Sequence, residues 1–132
     1  MQRSALIFSV AGDLIESCER ELNALGFFTL FAHAELPARK ILHDITIDLA
    51  LFDMGPDWDA SLKLLQRIKG SHEKVPFILM FDLTPTIARE FGALGRAVAG
   101  FYNKKAPVKE LIIELVRIFP DLRQKTVSGA QK

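Results

Sequence analysis

The stretch DLALFDMGP, residues 48–56, is the segment of the sequence that decides the fold. Its apolar residues run without alternation up to Asp53, and such a run is typical of a strand buried on both faces of a parallel sheet. Gly55 and Pro56 then favour a turn. The segment therefore predicts a buried strand over 48–52, with an acidic side chain directly after it.

The same order of apolar run, turn residues and helical pattern recurs along the whole chain. Further strands are predicted over 5–10, 27–32, 75–81 and 100–103. Helices are predicted over 13–25, 37–43, from Asp57 or Asp59 to 69, over 84–94 and over 107–119, with Gly26, Gly70 and Gly95 as helix stops. Strict alternation predicts an α/β fold, a flavodoxin-like doubly wound sheet of five parallel strands with five helices and strand order 2-1-3-4-5.

Length and composition indicate one globular domain over 1–120, with a flexible C-terminal tail over 121–132. Of the 132 residues 49% are hydrophobic and 25% charged, and the formal net charge is +1. This balance gives no reason to expect a nucleic-acid partner, and the short apolar runs give none to expect a membrane span. The one cysteine, Cys18, suits a reducing compartment, so we expect a cytoplasmic protein.

Ligands on doubly wound sheets gather at the carboxyl ends of the strands. The residues that this rule brings forward are Ser9-Val10-Ala11, Asp53-Met54-Gly55, Phe81-Asp82 and Asn103-Lys104.

Three stretches resemble the receiver domains of response regulators in two-component signalling, over about residues 4–119. Residues 49–69, LALFDMGPDWDASLKLLQRIK, resemble the third strand, the phosphoacceptor aspartate and the third helix of that family. Residues 75–81, VPFILMF, are similar to its fourth strand, and residues 95–116, GRAVAGFYNKKAPVKELIIELV, to its fifth strand, its lysine and its last helix. The resemblance implies the CheY-like version of the predicted fold.

The resemblance also assigns roles to individual residues. Asp53 stands at the position of the phosphorylated aspartate, and Lys104 at that of the lysine that contacts the phosphate. Phe101 stands at the position of the aromatic switch residue. Gly55 stands where a backbone carbonyl helps Asp53 to bind the metal.

The departures from the family pattern concern the same chemistry. The two acidic residues that hold Mg²⁺ in the family are replaced by Ser9 and Val10, and the hydroxyl residue that caps the phosphate is replaced by Phe81. Lys105 replaces the usual proline after Lys104. Mg²⁺ binds through carboxylates and phosphate oxygens, so we expect no cofactor, or Mg²⁺ bound only weakly. Asp13 is the nearest replacement acid, although a helix cap is its simpler interpretation.

Several functions remain open at this point. The first is an atypical receiver, a pseudo-receiver that acts through protein–protein interaction with weak or no Mg²⁺-dependent phosphorylation. The alternative is a functional receiver phosphorylated on Asp53. A small-ligand binder is less well supported, because Ser9-Val10-Ala11-Gly12 is a poor phosphate loop. No catalytic set of nucleophile, base and acid is visible, so we do not expect an enzyme.

Each residue also has a plainer interpretation. Asp53 and Lys104 form an ion pair in this view, Phe81 fills the core, Cys18 lies on the buried face of a helix, and His33, His43 and His72 lie at the surface. On the last helix, Ile113 and Ile118 fall off the buried stripe. They are candidates for a face that contacts a histidine kinase, an effector or a second copy of the chain.

Overall fold

The computed structural model describes residues 2–10, 15–70, 72, 74–82 and 98–123. Its strands are β1 (Arg3–Phe8), β2 (Phe27–Ala32), β3 (Leu49–Asp53), β4 (Phe77–Phe81) and β5 (Gly100–Asn103). Its helices are α1 (Ile15–Ala24), α2 (Glu35–Asp44), α3 (Trp58–Lys69) and α4 (Val108–Ile118). The predicted helix over 84–94 and the predicted helix start at Asp13 lie outside the described residues.

The five strands form one parallel sheet in the order β2-β1-β3-β4-β5. This confirms the predicted fold class and strand order. The order reverses beside β1, so the carboxyl ends of β1 and β3 meet at the point where ligands bind in folds of this kind.

Successive residues of the central strands supply two separate core layers. In β3, Leu49 and Leu51 face one layer, while Ala50 and Phe52 face the other. Residues of α1 and α4 cover the first layer, and residues of α2 and α3 cover the second. Burial on both faces explains why the strands read as continuous apolar runs.

Glycine ends the first and third helices, as predicted. Gly26 has φ of 93° and Gly70 has φ of 40°. These values lie in the left-handed region that residues with a Cβ adopt at a cost.

Three predicted boundaries are wrong by about two residues. β1 ends at Phe8, where its pairing with β3 ends at Phe52, so Val10 is not in the strand. β4 begins at Phe77, after Pro76, which has no N–H to give to the ladder. α2 begins at Glu35, which places Pro37 third in the helix. Proline is tolerated there because the first four N–H groups of a helix have no intrahelical partner.

The folded core extends past residue 120. Leu122 is fully buried in the layer that α1 and α4 cover. Beside it, Arg3 on β1 donates to both carboxylate oxygens of Asp121 at 2.8 Å and lies 4.5 Å from the ring centre of Phe119. The remainder of the expected tail, 124–132, lies outside the described residues.

Candidate functional site

Asp53 is the last residue of β3 and lies almost completely buried at the carboxyl edge of the sheet. Four buried apolar residues precede it, and its own exposed fraction is 7%. A carboxylate in such a position requires partners, because transfer of a lone charge out of water is costly. The structure supplies a partner to each of its two oxygens.

Lys104 is the first partner. It follows β5, and its backbone N–H donates to the carbonyl oxygen of Phe81 at 2.7 Å, which fixes the start of the side chain. Its ammonium group donates to Asp53 Oδ1 at 2.7 Å and to the carbonyl oxygen of Met54 at 3.3 Å. The side chains of Lys104 and Asp53 are 19% and 6% exposed, so water screens this ion pair only in part.

Ser9 is the second partner. Its hydroxyl donates to Asp53 Oδ2 at 2.7 Å, and the residue is 1% exposed. Ser9 reaches Asp53 because β1 and β3 are neighbours and Phe8 pairs with Phe52 one residue earlier. The sequence placed Ser9 at the site, but only as the weak replacement for a metal-binding acid. The structure gives it a direct bond to the carboxylate.

His33 contacts the backbone of Ser9, the second partner of Asp53. Its Nδ1 lies 2.7 Å from the carbonyl oxygen of Ser9. A carbonyl oxygen only accepts, so His33 carries its proton on Nδ1 in this contact. The sequence assigned His33 to the surface without a role. Its position directly after β2, beside the end of β1, was the available signal.

Val10 does not contribute to the site. It stands at the position of the second metal-binding acid of the resembling family, and it is 70% exposed. Asp13, the other acid considered from the sequence, lies outside the described residues. Among the residues that the structure describes, no three of His, Cys, Asp and Glu are grouped so that they could hold a metal ion.

Gly55 belongs to a loop held from two sides. Its N–H donates to the hydroxyl of Ser61 at 2.9 Å, and the N–H of Met54 donates to the carbonyl oxygen of Met80 at 2.8 Å. Asp57 accepts from the N–H of Ala60 at 3.1 Å and so caps α3. The sequence did not identify Ser61, whose spacing six residues after Gly55 carries no recognisable signal.

Phe81 and Phe101 pack together beside the ion pair. Phe81 is 5% exposed. Its ring centre lies 6.2 Å from that of Phe101 at an interplanar angle of 79°, an edge-to-face contact. Phe101 is half-buried. The aromatic ring therefore occupies the end of β4, where the resembling family carries a hydroxyl group.

Cys18 lies below the site on the buried face of α1. Its Sγ is 3.8 Å from the sulfur of Met80. Burial, together with the nearby charge of Asp53, raises the pKa of the Cys18 thiol to about 11. The group therefore behaves as a small apolar side chain at neutral pH, as predicted.

The two candidate partner-face residues have different environments. Ile113 on α4 is 57% exposed. Ile118 is partly buried and packs against the core layer below α4. Of the pair, only Ile113 is an exposed apolar side chain.

Searches at the level of sequence find no matching family model and no matching curated protein. Similarity appears at the level of structure. A response regulator from Thermotoga maritima superposes with a TM-score of 0.75 at 16% identity, covering 89% of this chain and 98% of the other. The chemotaxis protein CheY4 from Vibrio cholerae gives a TM-score of 0.72 at 14% identity, covering 89% and 99%.

The fold is that of a response regulator receiver domain. NtrX from Brucella abortus, in complex with ATP, also contains it: the TM-score is 0.75 at 20% identity, over 100% of this chain and 30% of NtrX. The receiver fold places Asp53 and Lys104 together, as the resemblance in sequence predicted. No helix in the described part of the chain is long and apolar enough to span a bilayer.

Proposed function

We propose that this chain is an atypical receiver, a signalling module that acts through protein–protein interaction with weak or no Mg²⁺-dependent phosphorylation. The observation that carries the proposal is the pair of hydrogen bonds that the Asp53 carboxylate accepts. Ser9 and Lys104 each donate to one of its oxygens at 2.7 Å inside a nearly closed site. The carboxylate is already satisfied by groups of the protein itself.

The residues around Asp53 fit Mg²⁺ poorly. Mg²⁺ requires octahedral oxygen coordination, usually from one or two carboxylates with waters and phosphate oxygens. Ser9 brings a neutral hydroxyl that already donates to Asp53, and Val10 brings no polar side-chain atom. Within the described residues, a cation would have to compete with the Lys104 ammonium for the Asp53 carboxylate, so Mg²⁺ affinity should be low.

Phe81 supports the same proposal from the other side of the site. A phosphoryl group on Asp53 would carry anionic oxygens that need hydrogen-bond donors. A phenyl ring offers none, and the Phe81 ring packs edge-to-face on Phe101. A conformational switch needs interactions that differ between its two states.

The alternative is a functional receiver phosphorylated on Asp53. The retained contact between Asp53 and Lys104 favours it, because a lysine at this distance can also neutralise a transferred phosphoryl group. In both cases the proposed partners are signalling proteins, such as a histidine kinase or an effector, or a second copy of the chain. The exposed Ile113 supports α4 as one contact face.

Amide NMR spectra separate the two functions. Mg²⁺ and beryllofluoride, a mimic of the phosphoryl group, are added to the protein singly and together. The atypical receiver predicts no saturable shifts for residues next to Asp53 and Lys104. Saturable shifts there that require both reagents would establish the alternative.

The variant Ser9→Asp/Val10→Asp serves as the matched control, since it places carboxylates at the two positions where the resembling family carries its metal-binding acids. We expect its unfolding temperature to rise with added Mg²⁺, because the cation relieves repulsion among three carboxylates. The unfolding temperature of the wild-type protein should not respond. A wild-type response as large as that of the variant would count against the proposal.

A further inference from the structure

A groove with a volume of about 450 Å³ lies between α2 and the end of α3, away from Asp53. Four of the residues that line it, Leu36, Arg39, Lys40 and His43, come from one face of α2, and Arg67 and His72 come from the end of α3 and the turn after it. Small-molecule sites typically have volumes of roughly 300–1,000 Å³. The groove is therefore large enough for a small ligand.

The groove is strongly cationic. Arg39, Lys40 and Arg67 bring three basic side chains to it, and none of its described lining residues is acidic. Glu35 lies at one end, where it accepts from Arg67 Nε at 2.9 Å and contacts Arg39 Nη1 at 3.5 Å. Among the described residues of the groove and its rim, three Arg and Lys side chains thus meet two carboxylates, Glu35 and Asp44, and Asp44 contacts Nδ1 of His43 at 2.9 Å.

In the described part of the chain, the terminal nitrogens of Arg67 and the ammonium group of Lys40 have no acceptor. The bond to Glu35 uses Nε of Arg67, and no described residue accepts from its two terminal nitrogens. Within the described residues, no carboxylate pairs with Lys40 either. A planar guanidinium with two open nitrogens matches two oxygens of a phosphate, and an ammonium adds a flexible third contact.

Compensation of helix dipoles explains only part of this cluster. Basic residues are favoured in the last turn of a helix, and Arg67 lies in the last turn of α3. Arg39 and Lys40 lie in the middle of α2, whose last turn contains only His43 as a basic residue. Glu35 accounts for the approach of Arg39 to Arg67, but within the described residues no carboxylate accounts for Lys40 beside them.

Leu36 gives the groove an apolar side. It is 74% exposed and lies on the same face of α2 as the cations. An apolar side chain held in water beside three cations suits a ligand with an apolar part attached to an anionic part.

We propose that this groove binds a small organic phosphate, a phosphate dianion attached to an apolar or aromatic group. Arg67 and Lys40 bind the phosphate oxygens, and Leu36 contacts the apolar group. Neither Asp53 nor its partners Ser9 and Lys104 line the groove. The proposal is thus independent of the state of Asp53.

The test is an amide NMR titration with three probes: adenosine monophosphate, inorganic phosphate and adenosine. Adenosine monophosphate should cause saturable shifts in α2 and at the end of α3. Inorganic phosphate should bind the same residues several-fold more weakly, and adenosine should not saturate them. Absence of saturable shifts with adenosine monophosphate, or equal affinity for inorganic phosphate, would overturn the proposal.

Charge-matched variants locate the site. Lys40→Gln and Arg67→Gln should each weaken binding of adenosine monophosphate roughly ten-fold, the loss of one charge-assisted contact. Lys109→Gln removes the same charge from an exposed position on α4 and should leave the affinity unchanged. Equal weakening in all three variants would mean non-specific attraction to the protein's charge, and no weakening in the first two would place the ligand elsewhere.

Discussion

At the scale of single residues, the state of Asp53 is set by two short hydrogen bonds. A charged donor, Lys104, and a neutral donor, Ser9, share its carboxylate. Loss of either donor should lower the free energy of unfolding, because the buried carboxylate would remain out of water without the hydrogen bond that offsets its desolvation.

Replacement of Lys104 by methionine should destabilise the protein. Removal of one partner from a buried ion pair costs about 3–5 kcal/mol, and we expect about 2–3 kcal/mol here because the Lys104 side chain is 19% exposed. Urea denaturation measures the difference. Lys105→Met is the control, since Lys105 is exposed and should change the free energy of unfolding by less than about 0.5 kcal/mol. Equal effects of the two substitutions would refute a role for the ion pair in stability.

The Cys18 thiol should make stability depend on pH in the alkaline range. Its pKa rises from 9.0 to about 11 on folding, so the unfolded chain releases this proton first. The contribution is fully present below pH 9 and is lost as the pH rises toward about 11. Urea denaturation of Cys18→Ala at pH 8 and pH 10.5 should show a smaller loss of stability than in the wild-type protein. An identical loss in both proteins would contradict a raised thiol pKa.

At the scale of elements, the start of α3 illustrates how a loop is held next to the site. Asp57 caps the helix, and two residues inside the first turns, Ala60 and Ser61, bind back to the loop. The helix start and the loop that carries Gly55 are therefore fixed together.

The cap predicts different effects for two neighbouring aspartates. Asp57→Ala should lower the free energy of unfolding by about 1 kcal/mol, because the N–H of Ala60 loses its acceptor. Asp59→Ala should cost less than about 0.5 kcal/mol, since Asp59 contributes only its charge in the first turn of the helix. Thermal unfolding of both variants measures this, and a larger effect at Asp59 would show that the cap is assigned to the wrong residue.

Most elements were predictable because buried residues appear in the sequence as apolar runs or as apolar positions at helical spacing. The predicted bounds of β2 and β5 agree with the structure, and glycine marked two helix ends. The predicted start of α2 at Pro37 was wrong because a proline can also stand inside the first turn of a helix. The N–H groups of that turn have no intrahelical partner, so the missing N–H of Pro37 costs nothing there. At the site, the pair of Asp53 and Lys104 was predictable from position. The hydrogen bonds of Ser61 and His33 were not, because each depends on the relative placement of two elements.

At the scale of the whole molecule, the two ends of the described chain are joined. Arg3 on β1 binds Asp121 and packs on Phe119, and Leu122 inserts into the core. The segment after α4 is thus part of the folded domain as far as residue 123.

Truncation of Leu122 should therefore act as a core substitution. We expect Leu122→Ala to cost about 2–4 kcal/mol, as for other fully buried leucines. Leu36→Ala is the matched control, because Leu36 is 74% exposed and its truncation should be nearly neutral. If Leu122→Ala is as stable as the control in urea denaturation, the segment after α4 does not pack on the core.

Phosphotransfer to Asp53 tests the central claim most directly. The protein is incubated with acetyl phosphate and Mg²⁺, and its intact mass is measured beside that of Asp53→Asn. We expect no added phosphoryl group on either protein, because Ser9 and Lys104 already donate to the carboxylate and the Phe81 ring offers no donor to a phosphoryl group. Rapid gain of one phosphoryl group by the wild-type protein, and not by Asp53→Asn, would contradict the account.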